Sequence, residues 1–171
     1  MKKILLIQPS PYDKNHKPIK KNKLYFVGLA MPLLAAMMPE DWEAEIVLEV
    51  IEDIPFDTDA ELIGISTMGH GVIRSIDIAR KFREMGKTVI LGGYMASIMA
   101  DEALKHCDSV VVGDAELVWN ELLKDYDEGR LKKIYKDNLE NGFFSTPMPR
   151  FDLIINKRIG NFLPVQAGRG C

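Results

Sequence analysis

Leu62-Ile63-Gly64-Ile65-Ser66-Thr67, Thr88-Val89-Ile90-Leu91-Gly92-Gly93 and Ser109-Val110-Val111-Val112-Gly113 are three short apolar runs, each ending in small residues. They punctuate the stretch from Glu61 to Glu116. Between them lie two segments with helical periodicity, Val72 to Met85 and Met95 to His106. This alternation predicts parallel strands buried on both faces and joined by crossover helices. In such sheets ligands sit outside the carboxyl ends of the strands. Here those ends carry Ser66-Thr67, Gly92-Gly93 and Gly113, which let a ligand approach the backbone closely.

Upstream of that stretch, Lys3 to Ile7 reads as a nearly all-apolar first strand. Gln8 to Lys23 is a long polar loop with three prolines and five lysines. Loops of that length in a compact domain are functional or disordered, so it reads as a lid or a solvated loop. Val27 to Met38 reads as a short, deeply buried helix with Pro32 in its first turn. Ala44 to Val50 is a strand whose mixed pattern suits a sheet edge, and the acidic segment Glu49 to Asp59 reads as a surface connection. In the next helix, Val72, Ile73, Ile76, Ala79, Phe82 and Met85 are expected to face the core, with an Asp77–Lys81 pair outside. Gly86 is the expected stop. Asp114 to Asp127 reads as a further helix, and Lys133 to Lys136 as a short strand or extension. From Asp137 onward, Asn141-Gly142, Pro147 and Pro149 break regular structure. That region reads as a linker lying against the preceding domain, with a last strand over Phe162–Ala167. The whole is an α/β, doubly wound, three-layer sheet with the flavodoxin-like order 2-1-3-4-5.

The totals set limits. The chain has 171 residues, 47% hydrophobic, enough for one full core. A net charge of −3 calls for neither nucleic acid nor an anionic membrane surface. No apolar run approaches a membrane span, so a cytoplasmic location is the default. Two cysteines, Cys107 and Cys171, make no disulfide framework.

The strand ends discriminate among ligands. A phospho-accepting receiver needs an aspartate after the third strand, where Ser66-Thr67 stands. Gln8-Pro9-Ser10 is not a flavin phosphate loop, and Gly92-Gly93-Tyr94-Met95-Ala96-Ser97 is not a dinucleotide fingerprint. The ordered set of Gly28-Leu29, Ser66-Thr67-Met68, Leu91-Gly92-Gly93 and Val111-Val112-Gly113-Asp114-Ala115-Glu116 resembles the N-terminal cobalamin-binding domain of class B radical S-adenosylmethionine enzymes. The last motif resembles that family's Gly-Glu-Gly-Glu turn, with Asp114 and Ala115 as departures. The tail Gly168-Arg169-Gly170-Cys171 resembles the family's entry into its Cys-x3-Cys-x2-Cys motif.

This resemblance implies a corrinoid at the carboxyl edge, contacted by Ser10, Gly28, Ser66, Thr67, Met68, Gly92, Gly93, Gly113, Asp114 and Glu116. It implies a cobalamin-binding domain over 1–138, then a linker and the first strand of a truncated barrel over 139–171. Cys171 would be the first ligand of a [4Fe–4S] cluster in the parent enzyme, which would also use S-adenosylmethionine and act as a methyltransferase. The fragment alone would not be catalytic, because one cysteine cannot hold such a cluster. The family's methionine-synthase-like cousins take a lower axial histidine from an Asp-x-His-x-x-Gly motif that is missing here, so the cobalt is expected base-off. The expected partners are the catalytic barrel in cis and the corrinoid itself. A competing reading is a cofactor-free docking or substrate-recognition module. His70 reads as a loop residue, and His106-Cys107 as a helix end rather than a metal site.

Overall fold

A computed structural model describes residues 1–137 and 146–166 of the chain. It contains a six-stranded, all-parallel sheet: β1 (Lys2–Gln8), β2 (Trp42–Leu48), β3 (Leu62–Ser66), β4 (Thr88–Gly92), β5 (Ser109–Val112) and β6 (Ile134–Lys136), in the order β2-β1-β3-β4-β5-β6. The order expected from sequence is present, and the Lys133–Lys136 segment adds a sixth strand beyond it. The helices are α1 (Ala30–Ala36), α2 (Val72–Glu84), α3 (Tyr94–Ile98), α4 (Ala100–Ala103) and α5 (Trp119–Asp127).

Period-two alternation sorts the apolar side chains into two layers. Ile4, Leu6, Leu62, Ile90 and Val111 pack with Met31 and Ala35 of α1, with Trp119, Leu122 and Leu123 of α5, and with Ile154. Leu5, Ile7, Ile63, Ile65, Val89, Leu91 and Val110 pack with Ile78, Ala79 and Phe82 of α2 and with Ala96 and Cys107. Strands buried on both faces are what the near-continuous apolar runs demand. The segment after Pro149 lies against the first layer. Arg150 N–H donates to Pro32 O (2.8 Å), Leu24 and Ile159 form an isolated bridge, and Ile154 is fully buried.

Several local expectations are corrected. The buried stripe of α2 is Ser75, Ile78, Ala79 and Phe82, while Ile73 and Met85 are exposed. Ser75 can occupy the core face because its hydroxyl donates to Gly71 O one turn back (2.9 Å). Asp77 accepts from the Tyr12 hydroxyl and meets Arg80 at 3.3 Å, rather than pairing with Lys81. The helix expected over Met95–His106 is broken at Met99, whose φ −119° and ψ 44° leave helical space between α3 and α4. The helix expected from Asp114 starts as a 3-10 turn, Ala115–Leu117, and becomes α-helical only at Trp119. The described part of the strand expected over Phe162–Ala167 pairs with nothing in the sheet and is mostly exposed.

Glu49, expected on the surface, is buried. It receives Arg74 from α2 (Nη2–Oε1 2.5 Å, Nε–Oε1 2.9 Å) and the Ser10 backbone N–H (2.9 Å). Arg74 also donates to the Tyr12 hydroxyl (3.2 Å). Burial is the largest influence on the Tyr12 phenol and pushes its pKa up, against the pull of Arg74. These contacts, with Lys21 N–H donating to Val50 O, pin the loop after β1 across the end of β2 and onto α2. It is a tethered hairpin, with Tyr12 bridged to Pro18.

Candidate functional site

The sheet order reverses between β1 and β3, so the chain leaves these two neighbours toward opposite faces. A crevice at their carboxyl ends is the expected result. The structure has a cleft of about 590 Å³ there, on the α1/α5 side of the sheet. Its back is Leu6, Gly64, Ile90 and Val111, one residue from each of four adjacent strands. Leu33 and Leu34 of α1 form one wall. Tyr94, Ser97 and Ile98 of α3 form the rim opposite, and the buried Trp119 opens α5 below. The lining is mainly apolar with few polar groups, the usual make-up of an organic-ligand site.

Of the residues singled out in the sequence, Ser66, Gly92, Gly93, Gly113, Asp114 and Glu116 meet at this cleft. The others stand apart from its lining. Thr67 is buried in a structural role: its hydroxyl donates to Gly92 O (2.7 Å) and accepts the Ala96 N–H (3.0 Å). Ser10 is also buried, with its hydroxyl donated to Ile19 O (2.5 Å) within the tethered loop. Gly28 and Met68 are exposed beyond the lining. His70 is exposed in a short 3-10 turn. Cys171 lies outside the described residues.

The three rim glycines are not equivalent. Gly93 has φ +94°, and an added Cβ would sit 3.0 Å from Thr67 O and 3.1 Å from Thr67 N. Gly113 has φ +86°, and its Cβ would land on the Asp137 carboxylate. Both are therefore required by the protein's own geometry. Gly92 has neither constraint. A Cβ there would make only an ordinary 3.7 Å contact with Val111 Cβ. Gly64, in the middle of β3, is different again, because the tip of Leu6 rests where its Cβ would be.

Sequence reasoning missed the groups that hold the rim. Asp137, just past β6, accepts the Asp114 N–H (2.6 Å). Ser97 donates its hydroxyl to Gly93 O (3.0 Å) and accepts the Gly113 N–H (3.0 Å), joining the β4 and β5 turns. Ser97 had a signal in sequence, since it lies four residues after a glycine turn at a helix start. Asp137 had none. Trp119 read only as one residue in a helix, yet it is 2% exposed and its Nε1 has no hydrogen-bond partner among the described residues.

Elsewhere, Cys107 is a buried thiol whose Sγ lies 3.2 Å from both Ala103 O and Ser109 O. Burial pushes its pKa up to about 11. His106 faces Glu102 at 3.8 Å. Among the described residues no group of three or more His, Cys, Asp or Glu side chains is placed to hold a metal ion. None of the described helices is long and apolar enough to cross a membrane.

No protein-family model matches the chain. Among curated proteins it is similar to the bacteriochlorophyllide d C-8(2)-methyltransferase of Chlorobaculum tepidum, with 36% identity over 124 residues, 72% of this chain and 26% of that protein. It is also similar to the bacteriochlorophyllide d C-12(1)-methyltransferase of the same organism, with 32% identity over 116 residues, 65% of this chain and 25% of that protein. An uncharacterized methyltransferase of Pyrococcus horikoshii is 26% identical across 99% of this chain and 43% of its own length. Among solved structures, the N-terminal domain of a hypothetical protein of Thermotoga maritima overlaps half of the chain at 20% identity and a TM-score of 0.41. The chain thus resembles methyltransferases in sequence while spanning about a quarter of the length of the first two.

Proposed function

We propose that this chain is the cobalamin-binding accessory domain of a radical S-adenosylmethionine methyltransferase. The cleft holds the corrinoid's nucleotide tail, and the corrin ring lies over the strand ends. One observation carries the reading: Gly92 faces the cleft with no internal reason to be glycine, so the bare backbone there serves something outside the protein. The size and apolar lining of the cleft suit a flat heterocycle and its sugar. When bound, the methylated corrinoid supplies the methyl group that is transferred.

This chain's own contribution is to bind and orient. Leu6, Ile90 and Val111 exclude water from the tail. Ser97 and Asp137 fix the β4 and β5 turns, so the rim is preorganised before binding. The catalytic barrel, with S-adenosylmethionine and a [4Fe–4S] cluster in which Cys171 is one ligand, belongs to the rest of the protein. Two observations support this: the sequence relatives named above are methyltransferases, and the first two are about four times longer than their matched portion.

The test is titration of the chain with hydroxocobalamin, following the corrin absorption bands. A perturbed spectrum and saturation below about 100 μM are expected, corresponding to at least roughly 5 kcal/mol of binding. No spectral change at that concentration rejects the assignment and favours a cofactor-free docking module.

A further inference from the structure

Gly64 is buried in the middle of β3, in register with Leu6 of β1. A glycine inside a strand weakens it, because it has the most freedom to lose and no side chain to pack. The backbone gives no reason for one here, since Gly64 is not among the glycines with positive φ. What the missing Cβ leaves is room. Leu6 Cδ2 lies 2.8 Å from the place a Cβ would take, and the next atom, Ile4 Cδ1, stands at an ordinary 3.8 Å. Leu6 therefore lies sideways across β3. Both residues line the cleft, and they belong to the two strands between which the sheet order reverses. Ser66 and Gly92 line it two residues further along β3 and β4, so the Leu6–Gly64 pair sits about 7 Å deeper.

We propose that Leu6 and Gly64 are specificity-determining residues, and that as a pair they set how long a group the cleft accepts. This rests on the reading above and deepens it. A Cβ at position 64 would displace the end of Leu6, and the open volume beside that end is the cleft. The surrounding core is close-packed and gives way less readily. Shortening Leu6 has the opposite effect and lengthens the cleft by the space its tip now fills. The limit is steric. It acts on the reach of whatever enters and is indifferent to its polarity.

The experiment measures affinity from the corrin absorption bands with three probes. Cobinamide has the corrin ring but no nucleotide, hydroxocobalamin has the nucleotide, and a naphthimidazole cobamide has a lower base longer by one fused ring. The wild-type chain should bind the longer cobamide at least about tenfold more weakly than hydroxocobalamin, and Leu6→Ala should close most of that gap. Gly64→Ala should weaken hydroxocobalamin at least about tenfold and leave cobinamide within about twofold. Leu6→Ala combined with Gly64→Ala should recover most of the loss, because the new methyl group takes the space that the Leu6 tip vacates. Equal binding of the two cobamides by the wild-type chain overturns the inference while the cofactor assignment stands. So does a gap unmoved by Leu6→Ala, or a double variant as weak as Gly64→Ala alone. Equal weakening of cobinamide also overturns it, because depth cannot matter to a probe without a tail. If the wild-type chain binds none of the three, the assignment and the inference fall together. Leu6→Ala introduces no clash, so its selectivity decides the matter even where Gly64→Ala does not fold.

Discussion

At the scale of single residues, glycines that look alike in sequence separate by what surrounds them. Gly92→Ala meets only Val111 at an ordinary contact distance, so its effect on stability should stay within about 1 kcal/mol. The same methyl group intrudes on the cleft, so corrinoid affinity should fall at least tenfold. Gly93→Ala must enforce a left-handed backbone against the Thr67 peptide, and should destabilise the fold by about 2 kcal/mol or more. Paired urea melts and corrinoid titrations check both variants, and a Gly92→Ala protein that binds normally would remove the main support for the cofactor site. The sequence showed glycines at the strand ends but could not rank them. The ranking depends on Thr67 and Asp137, which other segments bring into place. The same holds for Ser10 and Thr67. Their hydroxyls suggested ligand contacts, but buried backbone carbonyls claim them first.

At the scale of elements, strand positions were legible because period-two burial and β-branched runs leave little room for error. Helix phases were less so. Ile73 and Met85 looked like core residues of α2, yet the buried stripe runs through Ser75, whose hydroxyl is satisfied within the helix. The break at Met99 has no glycine or proline to announce it. The largest element-level surprise is the loop after β1. A lysine-rich, proline-rich segment reads as solvated, but a buried ion pair anchors it to α2 through Glu49, Arg74 and Tyr12. Removing one partner of such a pair strands the other charge in a poor solvent. Arg74→Ala should therefore cost about 3 kcal/mol in a denaturant melt. Glu49→Leu combined with Arg74→Met should recover only part of that, because the Ser10 N–H also loses its acceptor. Full additivity of the two single losses would show that the residues do not act as a pair.

At the scale of the whole molecule, the two core layers differ in what they leave open. The layer under α2 contains Cys107 and leaves a small cavity of about 40 Å³ beside Leu91 and Ala96. The layer under α1 and α5 keeps the cleft. Topology and the site's edge were readable from sequence because a parallel sheet with one reversal admits few arrangements. The cleft's floor and clamps were not, since Trp119, Ser97 and Asp137 come from three separate segments. Cys107 gives a global observable. Burial raises its pKa from 9.0 to about 11, so the unfolded chain releases that proton first. The stabilisation is complete below pH 9 and is lost as pH rises through 11. Urea midpoints should fall over that window, and Cys107→Ala should flatten the slope. The raised phenols of Tyr12, Tyr126 and Tyr135 leave a residual decline of the same sign. An unchanged slope in Cys107→Ala would mean that the thiol is hydrated in solution.

The Asp137 carboxylate, twenty-three positions along the chain from the Asp114 amide it receives, ties the mouth of the cleft to the sheet's outermost strand. A shortened version ending after α5 would lose the brace of that doorway, along with Gln166 from the lining. The smallest piece worth making for cofactor capture therefore has to run through position 137.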